Sequence, residues 1–188
     1  MNTGDTLILT AIGMISSVDR SMPDKLVSNR KIKGLMSGDE LVGIDYRPKD
    51  GKLYAVGLQG NLYTLNPNNG EAIFLRKLIA DPSDTTDGNA SFTPIMGDAN
   101  LITVNFNPAA DRLRVISNTG QNLRINVDTG ATITDGTINL ATGTAAVVAG
   151  AYTNAFAGTG STKLYSIDQN SDRIYLQNAN AGTLGNST

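Results

Sequence analysis

The residues able to do chemistry in this chain are defined first by two omissions. It has no His and no Cys. Serine-type triads, the common zinc sites and most general-base roles near neutral pH use imidazole, and thiolate ligands, cysteine nucleophiles and disulfides need sulfur. What remains is carboxylates, guanidinium and ammonium groups, amides, hydroxyls and phenols. Asp81, Asp84 and Asp87 lie at intervals of three, followed by Gly88 and Asn89. Calcium takes six to eight oxygen ligands, so such a run is a candidate calcium loop. An EF-hand wants acidic or amide residues at alternate positions and a Glu at the twelfth, where this chain has Phe92. The competing reading is a solvated acidic loop. Arg114, Arg124, Asn122 and Asn107 form a second candidate, a rim that would hold a small anion or a glycan by guanidinium and amide hydrogen bonds. Against it stands a structural use of the same residues, since an Arg on the inner face of a packed sheet must find carboxylates or carbonyls. Tyr54, Tyr63, Tyr152 and Tyr165 are suited both to stacking on sugars and to core packing with a satisfied hydroxyl. SMPDK has the wrong spacing for a Ser-Lys nucleophile motif, and neither GxSxG nor a nucleotide-binding glycine fingerprint occurs.

The elements that must position these residues are legible from an internal repeat. Residues 45–73, DYRPKDGKLYAVGLQGNLYTLNPNNGEAI, align without a gap on residues 105–133, NFNPAADRLRVISNTGQNLRINVDTGATI, at an offset of 60. Tyr46 matches Phe106, Leu53 matches Leu113, Val56 matches Ile116, Leu65 matches Ile125, and the turn residues Gly60 and Gly70 match Gly120 and Gly130. Each unit reads as strand, Pro/Asp turn, strand, Gly turn, strand, Asn/Asp-x-x-x-Gly turn, strand: a four-stranded antiparallel meander. Alternation puts Leu53 and Ala55, like Leu113 and Val115, on one face, with Tyr54 and Arg114 on the other. A shorter copy follows, in which KLYSIDQNSDRIYLQ repeats the hairpin LYTLNPNNGEAIFL, and a fainter one precedes. The chain is therefore expected to be all-β and β-propeller-like, incomplete or open, a single repeat domain over 1–188 with approximate units at 5–40, 41–100, 101–145 and 146–188. Little helix is expected, because the best candidate, Lys31 to Glu40, is broken by Gly34 and Gly38. Residues 80–100 read as a long polar loop between units with an apolar anchor around Phe92 to Met96.

Composition narrows the partners. A net charge of −2 with both signs scattered offers no basic stripe, so nucleic acid is not expected. The most apolar later stretch, Ala145 to Tyr152, is far too short for a membrane span, and the N-terminus has no signal-peptide pattern in this chain. The wording of the repeats, LVGIDYRPKDGKLYAVGLQGNLYTLNPNNG, then VNFNPAADRLRVISNTGQNLRINVDTG, then AYTN and LYSIDQNSDRIYLQN, closely resembles the bacterial family named domain of unknown function 4394. The resemblance spans residues 5–184. It implies a propeller-like architecture and an extracellular or cell-envelope location, and it implies no activity. The expectation is a non-catalytic binding or surface-interaction module of an exported bacterial protein, without cofactor unless calcium. Its partner would be a small anion, a glycan or a protein, and its exposed strand edges make self-association an expectation as well. The alternative is a hydrolase or lyase that holds a metal through carboxylates alone and uses it to activate water. The chain ends where another strand is expected, which suggests a fragment of a longer domain.

Overall fold

The computed structural model describes residues 3–85 and 94–187. The chain forms four antiparallel sheets arranged as the blades of a propeller that does not close. Blade 1 has three strands, β1 (Thr6–Leu9), β2 (Met14–Asp19) and β3 (Met22–Lys31). Blade 2 is β4 (Leu41–Tyr46), β5 (Leu53–Gly57), β6 (Asn61–Asn66) and β7 (Glu71–Lys77). A two-residue strand β8 (Ile79–Ala80) follows, and a single 3-10 turn, Ala99–Leu101, precedes blade 3. Blade 3 is β9 (Ile102–Asn107), β10 (Arg112–Ser117), β11 (Asn122–Ile125) and β12 (Ala131–Thr134). Blade 4 is β13 (Val147–Tyr152), β14 (Leu164–Asp168), β15 (Arg173–Gln177) and β16 (Leu184–Ser187).

The alternation read from the sequence sets the packing. Leu53, Ala55, Tyr63 and Leu65 turn toward blade 1 and form a core with Ile15, Leu7 and Leu9. Tyr54, Val56 and Leu62 turn the other way, onto Phe106, Leu113, Val115, Leu123 and Ile125 of blade 3. Ile116 then packs with Val147, Tyr152, Leu164 and Leu184 at the junction with blade 4. Each inner blade is thus buried on both faces, and its strands are apolar on both. Ile95, in the anchor of the long loop, is buried in the core between blades 2 and 3. Near the axis the first strands lie side by side, β4 against β9 and β9 against β13. Gly43 is required there, since a Cβ in its place would lie 2.3 Å from the Val104 side chain.

Two devices recur from blade to blade. A side-chain oxygen on the first strand of one blade accepts the backbone N–H of the first strand of the next: Asp45 Oδ2 from Phe106 at 2.6 Å, and its repeat equivalent Asn105 Oδ1 from Tyr152 at 2.8 Å. The chain leaving each blade also runs parallel to the outer strand of the following one. Lys33 bridges Glu71, β8 pairs with β12, and Asn139 bridges Thr183. The equivalent turn glycines Gly70, Gly130 and Gly182 supply the accepting carbonyls, to the N–H of Lys33, Ile79 and Asn139. An outer edge that would otherwise present unpaired backbone groups is thereby covered.

Blade 4 differs in its second face. Leu164, Ser166 and Asp168 are buried against blade 3, while Tyr165 and Ile167, paired in register with Leu176 and Ile174, point away from it, with Ile167 43% and Ile174 45% exposed. These are the positions that in blades 2 and 3 pack on the next blade.

Candidate binding site

The junction between blades 2 and 3 is closed by an ionic clamp. Arg47, at the end of β4, is 4% exposed. Its Nε and Nη2 donate to the two oxygens of Asp111 at 2.7 Å each, and Nη1 and Nη2 donate to Asp128 at 2.7 and 2.8 Å. Both carboxylates sit in turns of blade 3. The guanidinium hydrogen bonds hold Asp111 down to about pKa 2, and hydrogen bonds from Arg47 likewise lower Asp128. Tyr54, edge-on to Phe106 with ring centroids 5.4 Å apart, completes the packing beneath the clamp.

At the junction between blades 3 and 4 the repeat has moved its arginine. Asn107 occupies the position of Arg47, and Arg114 the position of Tyr54. Arg114 is 2% exposed, in the middle of β10. It donates to Asp135 Oδ2 at 2.6 Å, to Asn122 Oδ1 at 2.9 Å, to Asn180 Oδ1 at 3.0 Å and to the Tyr152 hydroxyl at 3.3 Å. Arg124 grips the same Asp135 with both its Nε and Nη2, at 2.9 and 3.0 Å. Asn122 is fully buried and donates to the carbonyls of Gly136 and Ala179. Of the four rim residues expected from sequence, Arg114 and Asn122 therefore tie blade 3 to Tyr152, Ala179 and Asn180 of blade 4 and are sealed from solvent, while Arg124 holds Asp135 at the end of its own blade. A guanidinium 2% exposed, with four of its five donors matched inside the protein, is an inter-blade tie rather than a surface for a ligand from outside.

Asn107 lies elsewhere. With a short side chain where blade 2 has Arg47, it lines a cavity of about 600 Å³ at the rim between blades 3 and 4, together with Tyr152, Lys163, Leu164, Leu176, Gln177, Asn178 and Thr183. The amide oxygens around this cavity are already engaged. Asn107 Oδ1 accepts from the N–H groups of Ala109 and Ala110, Asn178 Oδ1 from Ala181, and Gln177 Oε1 from Ser166 Oγ at 2.6 Å. Their NH₂ groups have no partner among the described residues. For Gln177 this is unusual, because the residue is only 4% exposed and its Nε2 is a buried donor with no acceptor. Lys163 adds an ammonium without an ion-pair partner among the described residues, and no carboxylate lines the cavity. The sequence signal for this site was the Arg47 to Asn107 change between aligned repeats. Gln177 and Lys163 escape the sequence reading, because KLYSIDQNSDRIYLQ taken as a copy of the hairpin LYTLNPNNGEAIFL is one strand out of step: in the structure β14 and β15 are the second and third strands of blade 4, which places Lys163 at the position of Lys52 and Gln177 at that of Leu65.

A second cavity of about 590 Å³, lined by Ile12, Ile32, Leu35, Asp39, Glu40 and Asp98 among others, opens between blade 1 and blade 2. Its best-placed carboxylate, Asp39, is spent on Asn61, on the Tyr63 hydroxyl at 2.7 Å and on the N–H of Gln59. Of the acidic run, Asp81 accepts from the N–H and hydroxyl of Ser83, and Asp84 is buried and accepts from the N–H of Thr134 at 2.7 Å. Asp87 lies outside the described residues. Among those described, no group of three or more acidic side chains is placed to hold a metal ion.

The family described as "Domain of unknown function (DUF4394)" matches residues 14–188. The chain belongs to this family. The resemblance visible in the repeats and the four-sheet propeller are thus two views of one DUF4394 domain. No curated protein matches the chain. Among solved structures, it is similar to a chain of the crystal structure of BBS1N in complex with ARL6DN, with 16% identity and a TM-score of 0.41 over 97% of this chain and 48% of that one. A chain of the mitotic checkpoint complex is similar at 16% identity and a TM-score of 0.44, over 94% of this chain and 48% of that one. The DUF4394 chain spans about half the length of each.

Proposed function

We propose that this chain is a non-catalytic binding module of an exported bacterial protein, and that it takes a small anion or glycan in the rim cavity between blades 3 and 4. The observation that carries the reading is the exchange of Arg47 for Asn107 at equivalent junctions. Where blade 2 fills the rim with a guanidinium that takes up two carboxylates, blade 3 leaves a cavity without a carboxylate, walled by amides with free NH₂ groups, by the Lys163 ammonium and by the hydroxyls of Tyr152, Thr162 and Thr183. Donors converging from several elements onto one space suit a ligand rich in oxygen acceptors. The charged groups elsewhere, Arg47, Arg114, Arg124 and their aspartates, are engaged with one another within and between blades, which favours binding over catalysis as the role of the remaining polar surface.

A thermal-shift screen of glycans and small anions tests this, with each hit repeated on Lys163→Met and on Asn107→Arg. Hits that both changes weaken, in variants that melt as the parent does, support the cavity as the site. A hit indifferent to both would move the site elsewhere. Arg114→Ala is a poor control, because it removes the shorter of the two arginine contacts to buried Asp135 together with the ties to Asn180 and Tyr152, and would loosen the junction for structural reasons. The export assignment rests on the family resemblance, and fractionation of expressing cells that left the full-length protein in the cytoplasm would refute it.

A further inference from the structure

Resting on the binding-module reading, we infer that the ligand of the blade 3–4 cavity is a sugar bearing a single carboxylate, a uronic-acid-type residue, and that Gln177 is its specificity-determining contact. A buried donor without an acceptor has lost its water and gained nothing in exchange. Gln177 Nε2 is in that position while Ser166 Oγ, itself wholly buried, holds Oε1 and so fixes which end of the amide is free. A neutral donor at depth matches a hydroxyl or ring oxygen, whereas a charge placed there would lack a countercharge. The countercharge lies at the mouth: Lys163 is exposed and is the one cation in the lining, with no carboxylate to compete for it. One ammonium in solvent suits a monoanion better than a phosphate dianion. Leu164, Leu176 and Ala179 supply apolar wall for the C–H face of a pyranose ring, and about 600 Å³ falls within the range of small-molecule sites. The ligand this describes has hydroxyls at one end and a carboxylate at the other.

Isothermal titration of the protein with galacturonate, glucuronate, the parent hexoses and inorganic phosphate tests the assignment. The uronates should bind about fivefold more tightly than the hexoses, as expected for one exposed ion pair, and Lys163→Met should erase that preference while sparing hexose binding. Gln177→Glu keeps the oxygen that Ser166 needs, turns the free donor into an anion, and should abolish binding of both sugar classes. The double change Ser166→Ala with Gln177→Met removes the pair together. It should leave the melting temperature unchanged or raised and still lose binding, an outcome that a purely structural role for Gln177 forbids. Asn107→Arg with Asn180→Asp puts back the arginine of the preceding junction and one of its two carboxylates, fills the cavity and should also abolish binding. Uronates and hexoses binding equally would overturn the ligand class and leave the cavity standing as the site. Phosphate binding more tightly than the uronates would overturn it in favour of a simple anion. Failure of every probe to bind the parent protein would overturn both this inference and the reading it rests on.

Discussion

Asp45→Asn should stabilise this protein at neutral pH, and by an amount that vanishes in mild acid. Asp45 sits on the first strand of blade 2 and accepts the N–H of Phe106 at 2.6 Å across the junction. Burial pushes its carboxyl up to about 6 from the usual 3.8, and the hydrogen bonds from the Phe106 and Tyr46 backbones only partly oppose this. A rise of about two units, at about 1.36 kcal/mol each, means that holding the carboxylate ionised in the folded state costs about 3 kcal/mol at pH 7.5. Because the folded pKa lies above the unfolded one, the folded state binds more protons between about pH 4 and 6, and stability rises as pH falls through that window. Asparagine removes the ionisation and keeps the accepting oxygen, as Asn105 shows one blade on, accepting from Tyr152 at 2.8 Å. The neutral acceptor is weaker than a carboxylate, so the net gain at pH 7.5 should be about 1–2 kcal/mol. Urea unfolding at pH 7.5, 6.0 and 4.5, followed by far-UV circular dichroism because the chain has no Trp, would measure it. The gap between variant and parent should close by pH 4.5. Asp45→Ala also removes the ionisation but loses the acceptor for the Phe106 N–H, so it should be less stable than Asp45→Asn at every pH. A variant Asp45→Asn that is less stable than the parent at pH 7.5, or a gap independent of pH, would refute the reasoning.

The clamp between blades 2 and 3 has the opposite sign. Arg47→Met should cost about 2–4 kcal/mol near neutrality, below the figure for a fully buried pair because Asp128 is more than half exposed. Asp111 is held down to about pKa 2, so the parent's advantage is complete above pH 4 and fades as pH falls toward 2; melts of both proteins across that range should converge. Gly43→Val drives a side chain into Val104 and should cost more than about 2 kcal/mol, or leave the protein insoluble, whereas Gly13→Ala, in open space though at φ 73°, should cost only about 1 kcal/mol by chemical denaturation. Leu123→Ala, wholly buried between blades, should cost about 2–5 kcal/mol, while Ile167→Ala, on the uncovered face of blade 4, should cost less than about 1 kcal/mol; equal losses would show that the faces of blade 4 have been assigned the wrong way round.

Much of the fold could be read from residue order because a blade is a local object. The gapless match of 45–73 on 105–133 fixes four strands, their turns and the face of every residue in both, and the paired registers Leu53 with Tyr46 and Leu113 with Phe106 follow from it. The parallel bridges that cover each blade's outer edge could not be read in this way. They join Lys33 to Glu71 and Asn139 to Thr183 through backbone groups, and backbone pairing over such separations leaves no side-chain pattern. The site was half legible. Charge in the two best repeats pointed to the junctions, and Arg114, Arg124 and Asn122 do meet there. Which of them is sealed depends on Asp135 and Asn180, whose roles only the folded chain reveals.

The two junctions together explain why a cavity exists at one rim and not at the other. Each needs a cation to tie turns of the following blade, and the repeat can place it at the end of the first strand or in the middle of the second. Blade 2 uses the end, so Arg47 plugs the rim and a tyrosine fills the interior beside it. Blade 3 uses the middle, so Arg114 plugs the interior, reaches Asn180 in the turn that corresponds to Asp128, and frees the rim position for a short amide. Moving one guanidinium seven residues along an otherwise matched repeat preserves the tie between blades and opens space where a ligand can enter. The same substitution pattern, a long cation replaced by Asn at the strand end with an Arg appearing seven residues later, is therefore the mark expected to tell an open junction from a closed one in other repeats of this kind.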